Sequence, residues 1–394
     1  GLVVTIKGTG FDQGAKVSWE QGGSSTTAVS VRSVTFVSTT QLSATIDIGA
    51  GAATRLYDVV VTTAAGKRAV GAAAFEVSRA VAVPGMVGGA SVNEQGAIGG
   101  TAPDGAAVWR PGLGVSMVKA GGRLNGLSED GTTVTGSVTG GTIGCCDGAF
   151  VAVLGGSTWQ YSVLPKDPVA LEHRARAVAS DPGSGMGVVV AGSEVLNTTR
   201  QRPMLWTRGA TGWSRTQLPL PPSGDHDGYV LDVAGVNGPA VGILDQGAAV
   251  WEFVNGTWKF AAISGAGSRA WGISRDGQTI VGYTAGSSGT AAARWTLVAG
   301  AWKESTLAGG CAEAKDIDNA GRILLDGCPD GGRRSGGVIS PPYGAADIRL
   351  LTGGGTTSGT AASTARISSR GTWIVGTVTT TAGDNVVVRW PMPS

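Results

Sequence analysis

The amino-acid sequence predicts an all-β protein, and three observations carry that prediction. Apolar residues recur with period two in short runs, turn residues punctuate those runs, and one strand–turn–strand theme returns from Gly85 to the end of the chain. No apolar stripe of helical period appears in residues 1–78. Of 394 residues, 67 are glycine, more than twice the usual share of about 7%. With 42% apolar residues beside them, the chain reads as folded and rich in turns.

Charge excludes some functions early. Thirty Lys and Arg stand against 28 Asp and Glu, a net charge of +2 with only 15% charged residues, which cannot form the basic stripe that nucleic acid requires. No run of apolar residues is long enough for a membrane-spanning helix. The sequence opens without Met or a signal segment and reads as processed or truncated.

Residues 1–78 hold six short apolar runs: Leu2–Ile6, Ala15–Trp19, Val34–Val37, Leu42–Ile46, Tyr57–Val61 and Ala72–Val77. The elements Val4-Thr5-Ile6-Lys7-Gly8-Thr9-Gly10-Phe11, Ala15-Lys16-Val17, Leu42–Ile46 and Tyr57–Val61 resemble the IPT/TIG family of immunoglobulin-like domains. That resemblance implies a β-sandwich used as a spacer or protein-contact module. The family places a further strand before the Ile6–Phe11 element, so the sandwich is expected to be truncated at its start.

From residue 79 onward the clearest copy of the repeated theme is Ala270–Gly282, followed by Ala292-Ala293-Arg294-Trp295 and Trp302. It reads as four strands: apolar, then apolar ending in Gly, then small residues ending in Trp, then a last strand. Seven copies close at Trp109, Phe150, Trp206, Trp251, Trp295, Val338 and Trp390, with steps of 41, 56, 45, 44, 43 and 52 residues. A four-stranded propeller blade has this length, roughly 40 to 50 residues. The pairs Trp206/Trp213, Trp251/Trp258 and Trp295/Trp302 each differ by seven, which suits one Trp ending the third strand and one opening the fourth. The last copy has no room for a fourth strand, and Arg79–Val83 is placed to supply it. Residues 79–394 therefore predict a seven-bladed β-propeller closed by a strand from before blade 1, with 79–84 as linker and closing strand. The theme Ile273, Gly277, Val281-Gly282 and then Ala292 to Trp295 resembles the HAF-type extracellular repeats of bacterial surface and secreted proteins, which implies export.

Four cysteines bear on the compartment. Cys311 and Cys328 flank a hairpin centred on Asp318–Gly321, so antiparallel register brings them together as a disulfide, and a disulfide implies an oxidising compartment. Cys145 and Cys146 are adjacent, either a vicinal disulfide or free thiols. No Cys-x-x-Cys pair or nearby His suggests zinc.

Residues with catalytic chemistry are few. Asp130, Asp276, Asp318 and Glu94 fall in hairpin turns, where carboxylates cap backbone groups. His173 opens a blade, and Asp225-His226-Asp227 has metal-binding residue types on one loop with no supporting ligand elsewhere. No catalytic triad assembles. The residues assign no catalytic, cofactor or metal site, and loop calcium has no residue to argue for it. They predict a non-enzymatic secreted or cell-surface scaffold that contacts protein neighbours. The alternative is a carbohydrate-binding or carbohydrate-active propeller, a glycosidase, lyase or lectin. Acids clustered at the axial mouth would favour the alternative; a mouth of Gly, Ser and Thr would favour the scaffold.

Overall fold

A computed structural model describes residues 2–49, 52, 55–77, 80–138, 148–180, 187–222, 226–245, 247–286, 289–330, 333–344, 347–351, 362–379 and 385–392. Among them there are β-strands, turns and one short 3-10 segment, with no α-helix and none long and apolar enough to cross a membrane. The chain forms two compact units, one over Gly1–Arg79 and one beginning at Ala80.

The first unit has two antiparallel sheets. One orders Leu2–Lys7, Gln41–Ile48 and Val29–Ser38; the other orders Ser24–Ser25, Lys16–Gln21, Arg55–Thr62 and Arg68–Val77. Along Gln41–Ile48 buried Leu42, Ala44 and Ile46 alternate with more exposed residues, so period two in the sequence becomes one face turned inward. They meet Val17, Trp19, Tyr57 and Val61 of the other sheet in a single core. Trp19 packs edge-on against Phe75 with ring centroids 5.3 Å apart.

The second unit is seven four-stranded antiparallel sheets, a β-propeller. The fifth blade shows the plan: Arg269–Ile273, Thr279–Gly286, Gly289–Val298 and Ala301–Thr306 in spatial order. The first strand of every blade touches the first strands of both neighbours, so Gly88–Val92, Gly122–Leu127, Glu172–Ser180, Gly228–Val233, Arg269–Ile273, Glu313–Ile317 and Ala362–Ile367 line the axis. Blade 7 packs on blade 1 and closes the ring.

Closure uses the segment before blade 1. Val81–Ala82 pairs with Asn385–Pro391 through Arg389↔Val81 and Val388↔Ala82, and the Val83 N–H donates to the Val387 carbonyl at 2.9 Å. The last sheet thus gains its fourth strand and loses an open edge. Glu94 of blade 1 adds side-chain contacts: its carboxylate accepts from the Ser369 hydroxyl, the Arg370 N–H and the Thr372 hydroxyl of blade 7.

Each inner strand carries a register shift against its neighbour, for example between Ala175 and Ala177, Val230 and Asp232, and Ala270 and Gly272. The bulge pushes inner-strand backbone toward the second strand, where most blades place glycine. A Cβ on Gly100, Gly136, Gly192, Gly242 or Gly282 would lie 1.8–2.1 Å from a carbonyl oxygen of the inner strand. The glycine that ends the repeated motif is thereby a steric requirement. Blade 6 has Leu325 at that position and Val338 in place of the closing Trp, and it carries the Cys311–Cys328 disulfide.

Trp206, Trp251 and Trp295 are fully buried in third strands. Truncating such a residue to Ala typically costs about 3–5 kcal/mol. The indoles of Trp206 and Trp251 donate to the Pro165 and Pro219 carbonyls, each in the connection that leads into that tryptophan's blade, at 2.8 and 2.9 Å. Trp213, Trp258 and Trp302 lie half-buried in the fourth strands.

Candidate functional site

The C-terminal ends of the inner strands, with the turns that follow them, surround an axial cavity of about 140 Å³. Just past the bulge, one residue of each blade occupies the same place in the register: Ser91, Gly126, Ala177, Asp232, Gly272, Asp316 and Arg366. Four are small, and the three charged ones sit together in the cavity wall.

Backbone N–H groups hold the two carboxylates. Asp232 accepts from Ile273 N–H of blade 5 at 3.1 Å. Asp316 accepts from its neighbour Ile317 and from Ile367 of blade 7, each at 3.0 Å, and faces Arg366 Nη1 at 3.6 Å. A Cβ on Gly272 would stand 3.1 Å from Asp316 Oδ1, so the glycine of blade 5 leaves space for the carboxylate of blade 6. Burial pushes the Asp316 carboxyl up to about 6 against the pull of Arg366, and the charge of Asp232 adds to the rise. Burial likewise holds Asp232 above the ordinary carboxylate range, again opposed by Arg366. Burial alone would depress the Arg366 guanidinium, but Asp316 and Asp232 hold it up.

Around this trio the wall adds Asn125, Glu129, Arg176 and Arg275. Arg275 crosses between blades: its guanidinium donates to the Ser180 carbonyl of blade 3 at 2.8 Å and lies 3.8 Å from Glu129 of blade 2. The Asn125 amide donates to the Ala175 carbonyl at 2.7 Å. Three acids thus face three arginines, so the cavity offers many fixed donors and acceptors with little net charge.

These residues differ from the sequence-based candidates. Of the turn acids, Asp130 and Asp276 are equivalent, each accepting from the N–H two residues on, at Thr132 and Gln278, and from Ser128 or Ser274. Asp318 instead takes the place of that serine, accepting from the Ala320 and Arg322 N–H groups, and Glu94 reaches blade 7. The expected equivalence of all four is corrected: an offset within the turn, two residues for Asp318 and one for Glu94, changes which N–H groups a carboxylate can reach. His173 is buried with Nε2 2.9 Å from the Leu164 carbonyl, and burial lowers its pKa. His226 Nδ1 bonds the Asp245 carboxylate, and Asp227 accepts from the Gln201 N–H at 2.8 Å. Among the described residues no group of three His, Cys, Asp or Glu is arranged for a metal ion. Cys145, Cys146 and the enlarged turn Asp181–Gly185 lie outside the described residues. Asp232, Asp316 and Arg366 escaped sequence reading because nothing in the chain marks them as neighbours. The signal available was their common position, five or six residues before the glycine of each turn.

No family model matches the chain, and no curated protein matches it. Among solved structures it is similar to the β-propeller domain of the Trilobed protease from Pyrococcus furiosus, with 9% identity over 92% of this chain and 93% of that one and a TM-score of 0.48. An acylaminoacyl peptidase from Pyrococcus horikoshii aligns at 10% identity over 87% of this chain and 51% of that one, with a TM-score of 0.45. A putative TolB from Agrobacterium tumefaciens aligns at 14% identity over 69% and 90%, with a TM-score of 0.41. At such identities the likeness concerns the fold. Enzymes stand among these similar structures. The expectation of a chain without catalysis is corrected: it rested on acids confined to turns, and that fails at Asp232 and Asp316 in the cavity wall.

Proposed function

We propose that this protein is a carbohydrate-binding, carbohydrate-active propeller that works at its axial cavity. The observation that carries the reading is the Asp232, Asp316 and Arg366 trio, three charged side chains at one register position in the cavity wall. A neutral sugar is recognised by alternating donors and acceptors in fixed places, and a charge-balanced wall with Asn125 and Ser91 supplies them. Asp316, with its carboxyl pushed up to about 6, holds a proton in mildly acidic solution and can give it to a departing glycosidic oxygen. Asp232 is the partner carboxylate in such a pair, and Arg366 offsets the charge the two acids develop.

The disulfide of blade 6 supports an exported protein, since such bonds persist in oxidising compartments. On this reading the first unit is the immunoglobulin-like, IPT/TIG-type spacer that its sequence resembles, and the ring is of the HAF type. The spacer and the ring exterior then contact neighbouring proteins of a surface or extracellular assembly.

A glycan array run with a hydrolysis assay on the purified chain tests the proposal. A bound glycan is expected, with turnover lost in Asp316→Asn and Asp232→Asn variants that remain folded. Binding without turnover assigns a lectin; a folded chain that binds no glycan at all overturns the reading.

A further inference from the structure

Toward the N-terminal ends of the same inner strands, blades 3 to 6 set cations against aromatic rings, in a row that starts from Arg176 of the cavity wall. The Arg176 guanidinium lies 4.6 Å from the ring centre of Tyr229. Trp271, the bulge residue of blade 5, has Arg269 at 5.5 Å and Lys315 of blade 6 at 4.7 Å from its centre. Its indole N–H donates to Glu313 at 3.1 Å, and Glu313 also pairs with Lys315. Tyr283 stands 6.5 Å from Trp271 and opposite Arg269 in the register. These side chains are half-buried, so each presents one side to solvent.

An aromatic face holds a cation in position without neutralising it, unlike a carboxylate. Trp271 thereby sets the orientation of Arg269, while Lys315, on the same ring, also pairs with the Glu313 carboxylate. A pre-oriented cation beside an aromatic edge suits an anion carried on a ring with apolar C–H groups.

We propose that this end of the axis is a second recognition surface, selecting a carbohydrate chain that bears carboxylate or sulfate groups, with Arg269 and Lys315 meeting the anions and Trp271 and Tyr229 the sugar rings. The class of ligand rests on the carbohydrate reading above; the anionic preference rests on the cations alone.

Binding of the full chain to polygalacturonate, dextran sulfate, neutral dextran and polyglutamate, by titration calorimetry at low and moderate salt, tests it. Either or both anionic polysaccharides are expected to bind, more weakly as salt rises, and the better of the two identifies the anion. Replacing both cations, Arg269→Gln with Lys315→Gln, is expected to weaken binding about tenfold or more, as loss of two charge-assisted contacts implies. The conservative pair Arg269→Lys with Lys315→Arg should retain most of the affinity, which separates recognition from a folding defect. Equal binding of neutral dextran, or no effect of the double variant, overturns the proposal. Polyglutamate binding as tightly as the polysaccharides overturns it in favour of an acidic peptide. Binding that fails in Asp316→Asn but survives the double cation variant sinks this surface and leaves the axial cavity standing. Anionic binding through Arg269 and Lys315, with no turnover and no effect of Asp316→Asn, does the reverse.

Discussion

Asp316 Oδ2 in blade 6 accepts a hydrogen bond from the Ile367 N–H in blade 7 at 3.0 Å, so a carboxyl group of the cavity wall also fastens two sheets together. The same residue can then be read through stability as well as through activity.

Burial raises the folded-state Asp316 pKa to about 6, above the ordinary carboxylate value of about 3.9 that the unfolded chain recovers. Between those values the folded state binds more protons, so the stability linked to this group is fully present below about pH 4 and is lost as pH rises through about 6. Asp316→Asn cannot titrate and should flatten that part of the pH profile. It also exchanges one acceptor for a donor, which leaves the Ile317 or the Ile367 N–H unpaired at a cost of about 1–3 kcal/mol. Urea unfolding at pH 4 and pH 6.5 checks both effects, and an unchanged slope in the variant would count against the assigned shift.

The close approach at Gly282 makes a sharper steric prediction. A Cβ there meets the Arg269 carbonyl at 1.8 Å, and backbone cannot swing aside as a side chain can. Gly282→Ala should destabilise the ring by about 1–3 kcal/mol or more. Gly235→Ala, where a Cβ meets nothing within 4 Å, should be nearly neutral. Thermal melts of the two variants side by side decide it; equal losses would refute the steric account.

Blade 6 is tied by Cys311–Cys328, both buried, across 17 residues of chain. A loop near this length constrains the unfolded chain by about 3 kcal/mol. Cys311→Ser with Cys328→Ser should therefore lower the urea midpoint by a corresponding amount, and the wild type measured under reductant should match the variant. Reductant that leaves the wild-type midpoint unmoved would contradict the bond's contribution.

Ring closure rests partly on Glu94. Its replacement by Ala removes contacts to Ser369, Arg370 and Thr372 at once, at a cost of about 1–3 kcal/mol. Hydrogen exchange should rise in Ile98–Ala102 and Trp373–Thr379, on the two sides of the closure, before it rises in blade 4. Uniform acceleration around the ring would show that closure is not the weak point.

Much of this was legible along the chain because it depends on near neighbours in sequence. Period two in Gln41–Ile48, the turns around Asp130 and Asp276, the Trp pairs seven apart and the hairpin that joins Cys311 to Cys328 are all local patterns, and strand geometry converts each directly into a face, a turn or a register. The supply of a closing strand by Val81–Ala82 was readable too, since a blade lacking one strand leaves an edge to be covered. Tertiary structure alone decided what meets on the axis. Asp232, Asp316 and Arg366 belong to blades 4, 6 and 7 and are separated by 84 and 50 residues, and only the curvature of the ring turns one register position in each sheet into a shared cavity wall. Burial, which moves a carboxyl from its ordinary value to about 6, is likewise a property of surroundings that no stretch of sequence contains.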